Sequence, residues 1–395
     1  MKQWLSLLFA ILIVLGLTVL GLSQPVQAAG TEVTWFKTLH QETGVEFARA
    51  IAPRDWQFPQ DFGPHNDYQT EWWYYTGNLE TATGRPFGFQ LTFFRQALQP
   101  DLPELTTSSY SPWRSSQIYS AHFTLSDIAK RHFHPYERFS RSSVGLAGAE
   151  AMPDRIWLED WSTLELESGQ VRLQAQTADV AIDLLVSQTL PPILHGDRGW
   201  AQKGPAPGNA SYYYSLVQQP TTGTITIAGQ TYDVTGLTWK DHEYATRPLS
   251  PETKGWDWFS LQFDNGTALM LYLLRHTDGS LEPTSAGTFV SSAGDTIALK
   301  PQDWHLQVLD TWESPRSGAV YPARWQLSVP RLNLTIRGKP LMANQELQTT
   351  TATYWEGAVA FQGQLTEQTV QGKGYVELTG YASDRLDRLL AGQQQ

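Results

Sequence analysis

The segment Trp239-Lys240-Asp241-His242-Glu243-Tyr244 holds the densest set of proton-bearing groups in the chain. A carboxylate beside an imidazole can hold or accept a proton near neutral pH. On an extended backbone Asp241 and Glu243 share one face and His242 takes the other. Two readings stay open. Asp241, His242 and Glu243 are catalytic groups doing acid–base work in an aromatic cavity, or they form a buried hydrogen-bond cluster that closes the end of a barrel. A metal site is not expected, because His242 has carboxylate neighbours but no second His at i+2 or i+4.

Glu71-Trp72-Trp73-Tyr74-Tyr75 is the second segment of interest. Four consecutive aromatics on a strand show rings on both faces. One face packs beneath its sheet and the other can line a pocket, with Trp73 and Tyr75 as expected wall residues. Glu71 could serve as an acid there, but a buried ion pair with Arg95 is favoured, since buried charges need partners. In Gly255-Trp256-Asp257-Trp258-Phe259, Trp256 and Trp258 share a face and Asp257 takes the opposite one, either inside a barrel or in water. Trp355-Glu356-Gly357 repeats the Trp–acid theme. Tyr244, Trp256, Trp258 and Tyr272 complete the expected ligand-binding wall. His65, His122, His195 and His276 are scattered and read as structural histidines.

These groups need rigid elements to hold them, and the pattern is mostly short strands. Val171, Leu173 and Ala175 alternate with Arg172, Gln174 and Gln176. A buried strand follows over 179–186. Thr224 to Ile227, the turn Ala228-Gly229 and Thr231 to Val234 read as a hairpin. Leu261 to Phe263, Asp264-Asn265-Gly266 and Ala268 to Arg275 read as another. Trp325, Leu327 and Val329 alternate, as do Leu332, Leu334 and Ile336, with Pro330 marking an edge or bulge. The best helical pattern is the tail, where Asp384 can cap a turn carrying Leu386, Leu389 and Leu390. Many strands at short spacing point to a sandwich or an up-and-down barrel.

A weak repeat favours two domains. Trp72 to Tyr75, a glycine-containing turn and Phe87 to Arg95 run aromatic strand, turn, apolar strand, closing Arg. Trp256 to Phe259, the 264–266 turn and Leu269 to Arg275 do the same. The expected division is 29–218 and 219–395, where Gln218-Gln219-Pro220-Thr221-Thr222-Gly223 reads as a linker or turn.

Composition sets the outer limits. The 395 residues carry a formal charge of −11, which speaks against a nucleic-acid footprint. Trp, Tyr and Phe number 16 each, enough for wide aromatic walls. There is no cysteine, hence no disulfide, thiolate metal site or Cys nucleophile. Lys2, the apolar run from Trp4 to Leu22, and Val26-Gln27-Ala28 read as a signal peptide over 1–28. The protein is therefore expected to be secreted or periplasmic. The run is also long enough for an uncleaved N-terminal membrane anchor, which makes membrane proximity part of the expectation. The chain shows no Gly-x-Ser-x-Gly elbow, P-loop or dinucleotide fingerprint, and no cofactor is expected.

Several of these segments together resemble the AttH-like and carotenoid 1,2-hydratase family of double lipocalin-like proteins. They are Glu71 to Leu79, Gly84 to Arg95, Trp239 to Glu243, Gly255 to Trp258, Tyr354 to Gly357 and Gly374 to Tyr381. The resemblance implies a mainly β protein with little helix, built of two lipocalin-like antiparallel β-barrels packed together. It also implies an apolar small-molecule partner, isoprenoid or lipid-like. Family members include hydratases that add water across a terminal isoprenoid double bond, pericyclic cyclases and many secreted predicted hydrolases. The hydratases carry a His two residues before an aromatic, a spacing that His242-Glu243-Tyr244 matches. They also carry a strand Tyr followed two residues later by a proton-donating Asp. Here Tyr272 is followed by Leu274, so that acid is missing from its place. Three functions follow: a cavity enzyme for hydration or cyclisation, a non-catalytic lipid or isoprenoid carrier, and a secreted hydrolase.

Overall fold

The computed structural model describes residues 47–100, 115–350 and 352–382. The expected signal segment and the tail turn on Leu386, Leu389 and Leu390 lie outside these. The described chain is almost entirely β. Among the described residues the helical elements are short 3₁₀ turns, and none is long and apolar enough to cross a membrane.

Two antiparallel sheets make up the fold. The first contains β1 (Thr70–Glu80), β2 (Pro86–Ala97), β3 (Gln117–Asp127), β4 (His132–Arg141), β5 (Ala147–Ala151), β6 (Asp154–Leu158) and β7 (Trp161–Glu165). It continues with β8 (Gln170–Gln176), β9 (Val180–Ser187), β10 (Ile193–Leu194), β11 (Trp200–Gln202), β12 (Ala210–Ile227) and β13 (Gln230–Ala245). Its order is β4-β3-β2-β1-β13-β12-β9-β8-β7-β6-β5, with β10 and β11 added along β12. The second holds β14 (Thr253–Phe263), β15 (Ala268–His276), β16 (Ala286–Val290), β17 (Thr296–Leu299), β18 (His305–Glu313) and β19 (Val320–Val329). Its last strands are β20 (Leu334–Pro340), β21 (Glu346–Gln348), β22 (Thr353–Leu365) and β23 (Gln368–Leu378). The order is β17-β16-β15-β14-β23-β22-β20-β19-β18, with β21 on β22. The first sheet curls into a nearly closed barrel and the second into a half-barrel.

The sheets part between Ala245 and Thr253. The division expected at 218/219 therefore falls inside β12. Turn-like composition there marks a bulge, not a linker. Register slips between Leu216 and Gln219, and Gln218 adopts φ 53°. Beyond it, Thr221 to Ile227 pairs with both β9 and β13. Pro330 opens a 3₁₀ turn that separates β19 from β20.

Alternation sorts the aromatics into three layers. Trp73, Tyr75, Phe89, Leu91 and Phe93 fill the first barrel. Phe259, Leu261, Leu271 and Trp325 fill the half-barrel. Tyr74, Tyr213, Trp239, Trp258, Met270, Tyr272 and Tyr375 pack between the two sheets. That middle layer is also hydrogen-bonded. Asn78 donates to the Gly374 carbonyl at 3.0 Å, and Ser126 donates to Gln345 at 2.7 Å. At Gly88 the sheets come so close that a Cβ would lie 2.7 Å from Ala358 Cβ and 2.8 Å from the Tyr375 hydroxyl. Only glycine fits there.

The repeat seen in sequence carries a shared chemistry. Arg95 Nε bonds Glu71 at 2.9 Å, and Arg275 Nε bonds Asp257 at 2.9 Å. Each closing Arg neutralises an acid on the strand before it. Asp257 is thus neither in water nor free, and it also accepts from the Tyr381 hydroxyl.

Candidate active site

Strand β13 presents two faces to two different environments. Lys240, His242 and Tyr244 point into the first barrel. His242 Nε2 pairs with Glu71 at 2.8 Å, and its Nδ1 accepts from the Tyr214 hydroxyl at 2.8 Å. Glu71 also meets Arg95 at 2.9 Å and His65 Nδ1 at 2.8 Å. His65 Nε2 reaches Asp61 at 3.0 Å, and Arg54 bridges Asp61 and the Tyr244 hydroxyl at 2.6 and 2.7 Å. Lys240 pairs with Asp154 at 2.9 Å.

Burial alone would raise the Glu71 carboxyl, but Arg95, His242 and His65 hold it well below the usual carboxylate range. Burial pushes the other way on His65, yet Asp61 and Glu71 raise it overall. Burial drives His242 down to about 4 despite Glu71, so it is a neutral imidazole at neutral pH. The ligand atoms of His65, Glu71 and His242 lie within 4.8 Å of one another. They already hydrogen-bond each other, and the Arg95 guanidinium balances Glu71. This end of the barrel is a closed charge clamp.

The opposite face of β13 borders a cavity of about 70 Å³ between the sheets. Trp72, Tyr74, Phe94 and Tyr213 wall it from the first sheet, and Trp256, Trp258, Tyr272 and Leu274 from the second. Pro248 and Leu249 add apolar surface. The polar groups facing it are Asp241, Glu243, Glu377 and Lys203. Lys203 Nζ lies 3.2 Å from Glu243 and 3.7 Å from the Tyr272 ring centroid, a cation–π distance.

Asp241 is held by three donors. Tyr213 donates to Oδ2 at 2.7 Å, Trp239 donates to Oδ1 at 2.6 Å, and Ser215 also donates to Oδ1. Burial nevertheless pushes it up to about 7, with Glu243 adding to the rise and the donors opposing it. Glu377 accepts one bond, from Trp256 Nε1 to Oε1 at 2.9 Å. Among the described residues its Oε2 has no hydrogen-bond partner. Burial, with Asp241 and Glu243 nearby, pushes Glu377 up to about 8. Behind the wall, the Tyr74 hydroxyl donates to Glu356, whose carboxyl burial and Glu377 raise well above the usual range. The cavity is a room of aromatic faces with acids that keep protons near neutral pH.

The sequence-derived site divides accordingly. Asp241, Glu243, Trp256, Trp258 and Tyr272 come together at the cavity. His242, Trp73, Tyr75 and Tyr244 do not: they face the barrel interior. Trp73 packs 4.8 Å from His242, and Tyr244 stacks on His65 at 3.6 Å. Their neighbours Trp72 and Tyr74 line the cavity instead, because β1 pairs with β13 in the register Trp72↔Glu243 and Trp73↔His242. Leu274 does border the cavity, but the acids there come from β13 and β23. Sequence reasoning missed Glu377 and Lys203. Glu377 lies in the Gly374 to Tyr381 motif, and only the pairing Trp258↔Glu377 shows that it belongs beside the tryptophans.

Ser215, His195 and Asp241 also assemble, with His195 Nε2 2.6 Å from Ser215 Oγ. In a serine-hydrolase triad the imidazole stands between serine and acid. Here the serine stands between imidazole and acid, its hydroxyl donates to the ionised Asp241, and the imidazole's other nitrogen meets Thr288 and no acid. The arrangement does not activate a nucleophile.

A family model described as AttH-like matches residues 49–381. An AttH protein of Nitrosomonas europaea, of known crystal structure, is 34% identical, with a TM-score of 0.74 over 85% of this chain and 100% of that one. Kievitone hydratase of Fusarium solani subsp. phaseoli is 25% identical over 236 residues, 55% of this chain. That match spans 65% of the hydratase's own length. The crystal structure of kievitone hydratase from Nectria haematococca shares the fold, with a TM-score of 0.62 at 16% identity over 87% of this chain and 98% of that one.

Proposed function

This chain belongs to the AttH-like family, and from that premise we propose that it binds an apolar, isoprenoid or lipid-like ligand in the inter-sheet cavity and adds water to an alkene of that ligand. The observation that carries the reading is Glu377. It is a carboxyl raised to about 8, anchored through one oxygen by the Trp256 indole, in a cavity walled by tryptophan and tyrosine. A hydratase among the relatives supports it.

The chemistry balances without a cofactor. The Glu377 proton passes to one alkene carbon, and the π pair forms the new C–H bond. The neighbouring carbon becomes a cation facing the Trp and Tyr rings, whose quadrupoles favour positive charge. Water adds to that carbon, and its surplus proton returns to the Glu377 carboxylate. Attack by a second double bond of the ligand in place of water would form a ring and move the cation to a new carbon, and loss of a neighbouring C–H proton to the Glu377 carboxylate would leave a double bond and restore the acid.

The test is incubation of the full chain with prenylated phenols and linear isoprenoids in ¹⁸O-labelled water. A product gaining one labelled water is expected. Glu377→Gln should lower its rate by about 10²–10⁴-fold, while quenching of tryptophan fluorescence by the ligand persists. Full activity in Glu377→Gln would overturn the acid's assignment. Quenching without any turnover would make the protein a carrier. The absence of both would sink the apolar-ligand reading. An extracytoplasmic location, secreted or periplasmic, belongs to the same proposal. N-terminal sequencing of exported protein should begin after Ala28.

A further inference from the structure

A chain of buried hydrogen bonds runs from the second sheet to Asp241. Thr288 on β16 meets His195 Nδ1 at 2.8 Å, His195 Nε2 meets Ser215 at 2.6 Å, and Ser215 meets Asp241 Oδ1. His195 is fully buried, as is Ser215. Burial, with Lys203 nearby, pushes the imidazole down to about 3, so it stays neutral. It carries one ring proton and has two positions for it.

That proton's position fixes the polarity of the whole chain. With Asp241 ionised, the Ser215 hydroxyl donates to Oδ1, His195 Nε2–H donates to Ser215, and Thr288 donates to Nδ1. With a proton on Oδ1, every bond reverses. Asp241 donates to Ser215, Ser215 donates to Nε2, and Nδ1–H donates to Thr288. The second state holds one proton more than the first, and Asp241 carries it. Oδ1 is the oxygen suited to it, since it faces Ser215 and can still accept from Trp239 Nε1–H through its other lone pair. Oδ2 is held by Tyr213, which already accepts from Trp258 Nε1 at 3.0 Å. In both states Asp241, Ser215 and both ring nitrogens of His195 keep their hydrogen bonds along the chain, and a side chain with a fixed donor pattern would serve only one.

We propose that His195 is a positioning residue whose tautomer follows the protonation of Asp241 through Ser215, so that the acid can titrate in a sealed interior without stranding a hydrogen bond. This deepens the reading of the inter-sheet cavity as the site. Other groups act on Asp241 or His195: Glu243 on β13, Tyr213 on β12, Lys203 just beyond β11, and Glu377 on β23.

The test needs no substrate, so it stands or falls apart from the hydration reading. In the ¹⁵N-labelled full chain, the His195 ring signals, assigned by their loss in His195→Gln, report which nitrogen bears hydrogen. The expected pattern is Nε2–H at high pH and Nδ1–H at low pH, exchanging around 7 with Asp241. In Asp241→Asn, one tautomer should hold at all pH values, and in Ser215→Ala the link should be cut. His195→Phe leaves Ser215 without an acceptor when Asp241 is protonated, so the Asp241 midpoint should drop by about one pH unit. A single tautomer throughout in the wild type overturns the proposal. So does an imidazolium signal at low pH, or an exchange that survives Asp241→Asn. If Ser215→Ala does not fold, Asp241→Asn decides.

Discussion

Inside the first barrel, at the clamp around Glu71, acids and bases stand in pairs, and the carboxyl at the centre is driven below its ordinary range. One residue along β13, on the other face, Asp241 and Glu243 share a cavity with Glu377 and a single lysine. There burial and like-charge crowding raise Asp241 and Glu377. Burial is common to both regions. What separates Glu71 from Asp241 and Glu377 is a cation in contact with the carboxyl: Arg95 pairs with Glu71, whereas the cavity's Lys203 pairs with Glu243. Glu71 so paired is a rivet, whereas Asp241 and Glu377, without a cation in contact, keep a proton to spend.

The sharpest way to break this contrast is Arg95→Met. It strands Glu71 in a fully buried site, and the expected loss is about 3–5 kcal/mol of stability by denaturant titration. Glu377→Gln should instead be neutral or stabilising at alkaline pH. Equal losses from the two changes would erase the distinction.

The next test is the pH dependence of stability, where the regions should have opposite signs. Glu377 rises from an ordinary 4.5 to about 8 on folding. Between those values the folded chain binds a proton that the unfolded chain lacks, so stability falls as pH climbs through the window. Asp241 adds the same trend between 3.8 and about 7. Glu71, lowered by its partners, contributes stability that is present above its ordinary value and lost in acid. The effect is on the order of a few kcal/mol. Melting temperatures across this range should show a slope that Glu377→Gln flattens on the alkaline side and leaves intact on the acid side. The smallest effect belongs to Trp258→Phe, which deletes the donor to the Tyr213 hydroxyl. It should cost about 1 kcal/mol and largely vanish in a Tyr213→Phe background, read as a double-mutant coupling.

Local signals were legible in the sequence and distant ones were not. The alternation over 170–176 matches β8 end to end, and Ala228-Gly229 and Asp264-Asn265-Gly266 are turns where the hairpins needed them. The split between His242 and its acidic neighbours was also readable, because a period of two belongs to any strand. Which face meets the cavity was not, since that depends on β1 pairing with a strand about 170 residues away. The sequence alone therefore points to Trp73 and Tyr75 as wall residues, and the register turns them into the barrel. Glu377 carries no local mark, and a strand pairing across more than a hundred residues brings it to Trp258. The linker-like run at 218–223 shows the converse error, in which turn chemistry made a bulge within a continuous strand.

The alternation of β13 also bears on how such a protein can change over generations. A single inserted or deleted codon within 239–244 would shift the register and turn the side chains beyond it over, placing an imidazole and an ammonium among the tryptophans and crowding carboxylates against Glu71. Substitution at one letter can retune the acid room and leave the rivets alone, but a frame-preserving slip of one residue destroys both at once. Within 239–244, where the register runs without the bulge that β12 carries at 216–219, new chemistry is therefore written by exchange of side chains, one face at a time.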